Sequence, residues 1–358
     1  MTHTLPLPDF THERVEVITG RRSGLFIAVA LHSSVLGSAL GGARLWTYPR
    51  WSDALGDALR LSAAMTLKNA AAGLDAGGGK SVIGLAEGQT LDADQRRAAF
   101  LDLGDAVESF GGLYRTAEDV GSTTDDMLVV SERTAHVVGL PDAVGGSGEP
   151  AGPTSLGVYA SIRAVLERIA GSGDVAGRRI TISGLGQVGG RLASRLAQEG
   201  AVLTVTDVFA GKKELADSLG AAWVEPGEEH RVPADVFVPA GIGGLLTDEV
   251  IDALDARAVC GPANNPLADR SGADRLAARG VLYAPDFVVN AGGVIYLDLE
   301  AKRLGTREQI MDRVAGIGDT VRQILDQAEE RGITPLAAAE ERAAERLQTG
   351  ALAGSAHA

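Results

Sequence analysis

Two lysines of this 358-residue chain sit where lysine chemistry is plausible. Lys68 closes Met65-Thr66-Leu67-Lys68, three residues after Met65 and seven after Leu61, which on a helix is the apolar face. An ammonium there needs a partner; the other reading is a helix that ends nearby with the side chain snorkelling to water. Lys80 directly follows Gly77, Gly78 and Gly79, which lack the Cβ that would keep backbone and substrate apart. Its alternative is a solvated lysine on a glycine-rich surface loop. If the two lysines share a cleft, desolvation and a like neighbour both disfavour the charged form. One then becomes a base near neutrality, and the other stays cationic and holds a carboxylate. A carboxylate pair follows in Thr116-Ala117-Glu118-Asp119, a segment that reads as a loop. By itself Asp119 reads as an exposed or capping residue, and the tripeptide does not decide between it and Glu118.

A second signature is Gly184-Leu185-Gly186-Gln187-Val188-Gly189, preceded by strand-like Arg179-Ile180-Thr181-Ile182-Ser183 and followed by Leu192 and Leu196 at helical spacing. Strand, glycine turn and helix are the context a dinucleotide fingerprint requires. Gly184 permits the turn, Gly186 the close approach of pyrophosphate, and Gly189 the packing of helix on strand. The helix N-terminus offers N–H groups and a positive dipole end. A second strand, Ala201-Val202-Leu203-Thr204-Val205-Thr206, ends in Asp207, 21 residues after Gly186, where a carboxylate accepts from ribose hydroxyls. That charge repels a 2′-phosphate, which favours NAD over NADP, although Lys212 and Lys213 follow closely.

The elements that must hold these residues alternate between short Val/Ile/Leu runs and helical patterns, as in a mixed α/β architecture. Residues 25–31 read as a strand, with a break at Gly41 and Gly42; a helix follows, with Ser52 as its N-cap. The clearest hinge is the glycine-rich 145–153, after which Thr154 caps a helix carrying Val158, Ile162 and Val165. Apolar runs at 236–238, 258–260 and 281–283, separated by helix-length segments, predict a parallel sheet. Thr306 and Gln309 form a capping box for a helix that Gly332 stops; Thr334-Pro335 starts the last one, and the tail 350–358 is expected to be disordered. The expected domains are 1–145, joined by 335–358, and 146–334.

Composition narrows the partners. Thirty-three basic against 47 acidic residues leave a net charge of −14, which argues against nucleic acid or an anionic membrane. The one cysteine, Cys260, excludes an intrachain disulfide framework and reads as a buried strand residue. His32 and His136 have no partner in any motif and read as structural. The N-terminus does not read as a signal peptide, and a cytoplasmic protein is expected.

Taken together, Gly41-Gly42-Ala43-Arg44, Met65-Thr66-Leu67-Lys68-Asn69, Gly77-Gly78-Gly79-Lys80-Ser81-Val82-Ile83 and Thr116-Ala117-Glu118-Asp119-Val120 resemble the leucine/phenylalanine/valine dehydrogenases, within the glutamate dehydrogenase superfamily. Gly261-Pro262-Ala263-Asn264-Asn265 and Tyr283-Ala284-Pro285-Asp286-Phe287-Val288-Val289-Asn290-Ala291-Gly292-Gly293 continue the match, which runs from about residue 20 to 335. Pro262 and the 145–153 linker depart from any single subfamily.

The resemblance implies an N-terminal α/β domain with a mixed sheet, a C-terminal Rossmann-type dinucleotide-binding domain, and a cleft between them. It implies reversible oxidative deamination: L-amino acid, water and NAD⁺ giving a 2-oxo acid, ammonium and NADH, in a homo-oligomer without a metal. Carried over by motif, Lys68 holds the substrate carboxylate beside the Gly41 and Gly42 backbone. Lys80 is the low-pKa base that activates water, and Asp119 shuttles protons to the amino group. Leu40, Met65, Ala117, Val294 and Leu297 face the substrate, a set without charge that implies an apolar side chain, branched-chain or phenylalanine. Asn265 and Asn290 orient substrate and nicotinamide, while Thr154 and Ala240 line the cofactor site. The competing readings are a non-catalytic nucleotide sensor on the same fold and a dehydrogenase of another substrate class, such as a hydroxy acid.

Overall fold

The computed structural model describes residues 10–355; residues 1–9 and 356–358 lie outside it, including the last three of the tail expected to be disordered. The chain divides into two compact units. Unit 1 contains the residues up to Glu149, Leu297–Leu304, and those from Ala343 on; unit 2 contains Pro150–Tyr296 and Gly305–Arg342. The boundary thus falls four residues beyond the expected one, and the last helix is shared, with its first turns in unit 2.

Unit 1 begins β1 (Arg14–Thr19), β2 (Phe26–Ser33), β3 (Ala39–Thr47), α1 (Trp51–Ala71) and β4 (Gly78–Leu85). It continues with α2 (Ala93–Glu108), β5 (Tyr114–Glu118) and α3 (Thr124–Ser131). The sheet order is β1-β2-β4-β3-β5. It is mixed: β1 and β4 run antiparallel to β2, while β3 runs parallel to β4 and β5. One face meets α1 through small residues, Ala28 and Ala30 against Ala54 and Ala58, which lets the helix lie close to the strands. The other face carries Ile27, Val29, Leu45 and Ile83 against Phe100, Leu103 and Val107 of α2 and Met127 of α3.

Unit 2 runs α4 (Ala151–Ala170), β6 (Arg179–Ser183), α5 (Gln187–Gln198), β7 (Val202–Thr206), α6 (Lys213–Ser218), β8 (Ala222–Trp223), β9 (Ala234–Pro239) and α7 (Asp248–Ala253). Then come β10 (Ala256–Val259), α8 (Gly272–Ala278), β11 (Leu282–Tyr283), α9 (Asp286–Val289), α10 (Gly292–Ala301), α11 (Arg307–Ala315), α12 (Ile317–Arg331) and α13 (Pro335–Ser355). Its six strands are parallel in the order β11-β10-β9-β6-β7-β8. The chain therefore winds outward from β6 in one direction and then returns to its other side. The carboxyl end of β6 is the switch point at which such sheets bind ligands.

Several local expectations change. Gly41 and Gly42 do not break the chain; they lie inside β3. The first helix starts at Trp51, so Ser52 lies within it and Arg50 holds the cap position without a side-chain capping bond. Thr154 lies inside the first turn of α4, where its hydroxyl donates to Pro150 O at 2.9 Å, a local bond open to a threonine within a helix. The helix expected from Thr306 to Gly332 is two helices, α11 and α12, separated at Gly316, a poor helix former. The described part of the tail is helical, because Ala and Leu extend a helix already nucleated upstream. Among the described residues no helix is long and apolar enough to cross a membrane.

Candidate active site

Strand register builds the centre of unit 1. β3 and β5 pair Gly42 with Ala117, and Arg44 and Asp119 follow two residues further along each chain. Lys80 projects from β4 on the other side of β3. Its ammonium is 2.8 Å from Asp119 Oδ2, and its side chain is 6 % exposed. Arg44 Nε donates to that same oxygen at 3.1 Å, and Arg44 also reaches Asp57 Oδ2 at 2.9 Å. Tyr48 donates to Asp57 Oδ2 at 2.7 Å, which anchors the far end of the network on α1.

Electrostatics follow from this arrangement. Burial pushes Lys80 below its ordinary value; Asp119 opposes the shift, and Arg44 adds to it. Arg44 is thus a like charge acting on Lys80 that the sequence reading did not name. Burial works against ionisation of Asp119, yet Lys80 and Arg44 outweigh it and hold the carboxyl at about 2. Glu118, next in the chain, behaves oppositely: burial and then Glu149 and Asp119 raise it to about 7.

The glycines have steric reasons within the protein. A Cβ on Gly41 would stand 1.8 Å from Gly79 O and 3.3 Å from Met65 Cγ; one on Gly42 would be 2.7 Å from both Asp119 Cβ and Glu118 O. Gly77 faces Ser33 O, Gly78 the Thr66 backbone and Gly79 the Tyr114 ring. The room beside Gly77, Gly78 and Gly79 is thus filled by neighbouring strands and α1, so close packing, not substrate approach, demands glycine there. Asn69 on α1 donates to Leu40 O at 3.2 Å and Gly77 O at 2.6 Å, tying helix to strands. Lys68 stands in the last turn of α1, one turn beyond Met65 and half-buried; the helix continues past it to Ala71.

In unit 2 the turn after β6 has the form the spacing predicts. Gly184 has φ +113°, where glycine is needed, and a Cβ on Gly189 would be 2.1 Å from Gly184 O. A Cβ on Gly186 would meet nothing within 4 Å, and α5 begins after it with no side-chain cap. Gln187 and Val188 form the first turn of α5, so its N-terminus is open to an anion. Leu185 N donates to Asp207 Oδ2 at 2.7 Å and Phe209 N to Oδ1 at 2.8 Å. Asp207 thus ties the turn to the end of β7, and each ionised oxygen keeps a further acceptor site. Ala240 packs beneath the turn, with its Cβ facing Gly189 and its N–H donating to Ser183 O at 2.8 Å.

A third group gathers around Asn290, which donates to Asn264 Oδ1 at 2.9 Å and to Pro262 O at 3.2 Å. Its own Oδ1 is buried without a partner among the described residues, as suits an acceptor for a ligand N–H. Asn265 takes φ +49° and donates its N–H to Asp286 Oδ2 at 2.8 Å. Thr154 Oγ1 lies 2.6 Å from where a Cβ on Gly293 would be, beside Val294. Leu297 belongs to unit 1, near Gly139. Cys260 is buried at the end of β10, and burial pushes its thiol up. No group of three or more metal-ligating side chains occurs among the described residues.

The residue that sequence reasoning passed over is Arg44. Its signal was present: two positions beyond Gly42 on a strand is the same face. Treating the glycine pair as a break concealed that alternation. Asp57 and Tyr48 carried no signal, since nothing in their spacing announces a shared hydrogen bond.

Comparison with known proteins gives a consistent result. Residues 12–136 match the Glu/Leu/Phe/Val dehydrogenase dimerisation domain, and residues 145–214 and 209–353 match the glutamate/leucine/phenylalanine/valine dehydrogenase domain. The chain is 39 % identical to leucine dehydrogenase of Thermoactinomyces intermedius, over 96 % of this chain and 92 % of that one. It is 37 % identical to phenylalanine dehydrogenase of Bacillus thermotolerans, over 96 % and 92 %. The crystal structure of L-tryptophan dehydrogenase from Nostoc punctiforme superposes with a TM-score of 0.79 at 34 % identity, covering 95 % of this chain and 96 % of that one.

Proposed function

The chain belongs to the glutamate/leucine/phenylalanine/valine dehydrogenase family, and from that premise we propose how its residues oxidatively deaminate apolar L-amino acids with a nicotinamide dinucleotide. The dinucleotide, when bound, accepts the hydride that leaves Cα. Gly184, Leu185, Gly186, Gln187, Val188 and Gly189 would hold its pyrophosphate on the open end of α5, with Asp207 on the ribose and Thr154, Ala240, Asn265 and Asn290 around the nicotinamide. The Asp207 carboxylate disfavours a 2′-phosphate, so the cofactor is NAD.

Lys68 holds the substrate carboxylate beside Gly41, Gly42 and Met65. Hydride loss leaves a cationic imine, and a neutral Lys80 adds no opposing charge next to it. Lys80 then takes a proton from the water that adds to the imine carbon. Asp119 takes a proton from the substrate ammonium before the hydride leaves and returns it to the amine as the carbinolamine collapses. The C–N bond breaks, the hydroxyl proton passes to the departing ammonia, and the proton held by Lys80 goes to solvent, leaving 2-oxo acid and ammonium. The side chain lies against Leu40, Ala117, Val294 and Leu297. One methylene in such a pocket discriminates by only about 1–3 kcal/mol, so several apolar amino acids are accepted. We place the enzyme in the cytoplasm as a homo-oligomer.

The observation that carries this reading is the buried Lys80 ammonium 2.8 Å from Asp119. The test is steady-state turnover of Leu, Val, Ile, Phe, Tyr, Trp and Glu with NAD⁺ and NADP⁺. Apolar substrates with NAD⁺ should give reduced-nicotinamide absorbance and free ammonium. Lys80→Ala should lower kcat by about 10²–10⁴-fold, the usual scale of general-base catalysis, in a protein that still folds. Absence of turnover on every apolar amino acid would refute the proposal.

A further inference from the structure

Three residues proposed above to face the substrate side chain, Leu40, Ala117 and Leu297, lie in unit 1 and share one neighbour, Arg115. Arg115 is the register partner of Leu40 across β3 and β5. It precedes Ala117 by two positions, which places both on one face of the strand. Its guanidinium is 2.5 Å from Asp298 Oδ1, on the residue after Leu297, and the two side chains are 13 % and 1 % exposed. The other Asp298 oxygen accepts from Lys302 Nζ at 2.9 Å, and that lysine, on the wetter side, also donates to Asp75 O at 2.7 Å. Arg115 Nε is buried and has no acceptor among the described residues.

A buried pair of this kind gives a fold little that apolar side chains of similar volume would not. Its position beside three pocket residues supplies another reason for it. We propose that Arg115 and Asp298 form the distal end of the substrate side-chain pocket, with Asp298 acting as a resident carboxylate that reserves the pocket for uncharged side chains. The inference rests on the pocket assigned under the proposed function, and it locates a charge where that set of residues alone has none.

The chemistry is that of guanidinium recognition. An open guanidinium fork binds a carboxylate with paired, charge-assisted bonds. With Asp298 in place, an acidic substrate meets an occupied fork and a second anion, so discrimination is built from repulsion as well as fit. The unpartnered Nε–H is compatible with a neutral side chain.

The experiment uses the full-length enzyme and compares kcat/KM for L-glutamate and L-leucine. Leucine turnover by the parent enzyme comes first; its absence would overturn the functional reading, and this inference with it. In Asp298→Asn, close in shape but uncharged, the glutamate-to-leucine ratio should rise by about tenfold or more, the scale of one charged hydrogen bond gained. Adding Arg115→Met should abolish that gain. An unmoved ratio in folded Asp298→Asn, or a gain that survives loss of Arg115, would show the pair to be only a brace. Should Asp298→Asn fail to fold, Arg115→Met with Asp298→Leu leaves neither charge unpaired. The inference then requires the phenylalanine-to-leucine ratio of KM values to change several-fold, and an unchanged ratio overturns it.

Discussion

Replacing Arg44 with methionine tests the electrostatic design of the site. Arg44 and Lys80 reach the same oxygen, Asp119 Oδ2, at 3.1 and 2.8 Å. Their charged nitrogens are therefore no more than about 6 Å apart, and at an effective dielectric of about 20 their repulsion is about 3 kcal/mol. About 6 Å is the largest separation these two contacts allow, so a closer approach would only strengthen that repulsion. Relaxation reduces it, since Arg44 is 19 % exposed. Arg44→Met should thus raise the Lys80 pKa. Loss of the guanidinium also leaves Asp119 entirely to Lys80, which acts in the same direction. Asp57 keeps Tyr48 and Arg60 as partners, which limits collateral damage. In the proposed mechanism Lys80 acts as the free base, so kcat/KM for leucine should climb with pH through its pKa, and the acid limb of the profile should move to higher pH in the variant. The assay is reduced-nicotinamide absorbance at saturating cofactor across the neutral and alkaline range. Arg44→Lys, which keeps the charge, should bring the limb part of the way back. A limb that stays in place while activity falls uniformly, or one that moves to lower pH, would refute the reasoning.

Two further outcomes follow from local geometry. Gly42→Ala places a methyl 2.7 Å from Asp119 Cβ and Glu118 O, so β5 must shift; overpacking of this kind costs about 1–3 kcal/mol. A lower melting temperature is expected, together with a fall in kcat steeper than that of Gly211→Ala, where a Cβ meets open space. Glu118→Gln should stabilise the fold at alkaline pH but not in acid. Burial and its acidic neighbours raise this carboxyl from 4.5 to about 7, so the wild-type fold keeps its full stability below 4.5 and loses it as pH rises through 7. Urea midpoints at pH 4 and pH 8.5, chosen to bracket that window, should coincide at the first and separate at the second; a reversed or absent gap would contradict the sign.

How far this protein could be read in advance depends on how local each feature is. The dinucleotide turn is local: strand, three glycines, helix and Asp207 lie within 29 residues and follow from φ requirements and periodicity. The alternation of strands and helices likewise foretold an α/β architecture and the spaced apolar runs a parallel sheet, while the mixed sheet was implied by the resemblance alone. Lys80 and Asp119 stood out by motif, but nothing in their spacing decided whether Glu118 or Asp119 meets the lysine. That choice is made by the face of β5, which turns Asp119 toward Lys80 and gives Glu118 the opposite titration.

From the amino-acid order alone came the α/β class and a turn shaped to cradle an anion, because each rests on backbone geometry; the choice of Lys80 as the lysine proposed to react came from a contiguous motif and the family it resembles. Tertiary structure decided which cation crowds that lysine, why glycine is required at five positions around it, and that Arg115 meets Asp298 across 183 residues. These are consequences of strand order and register, which bring distant residues to within a few ångströms of each other, and no spacing along the chain encodes that proximity.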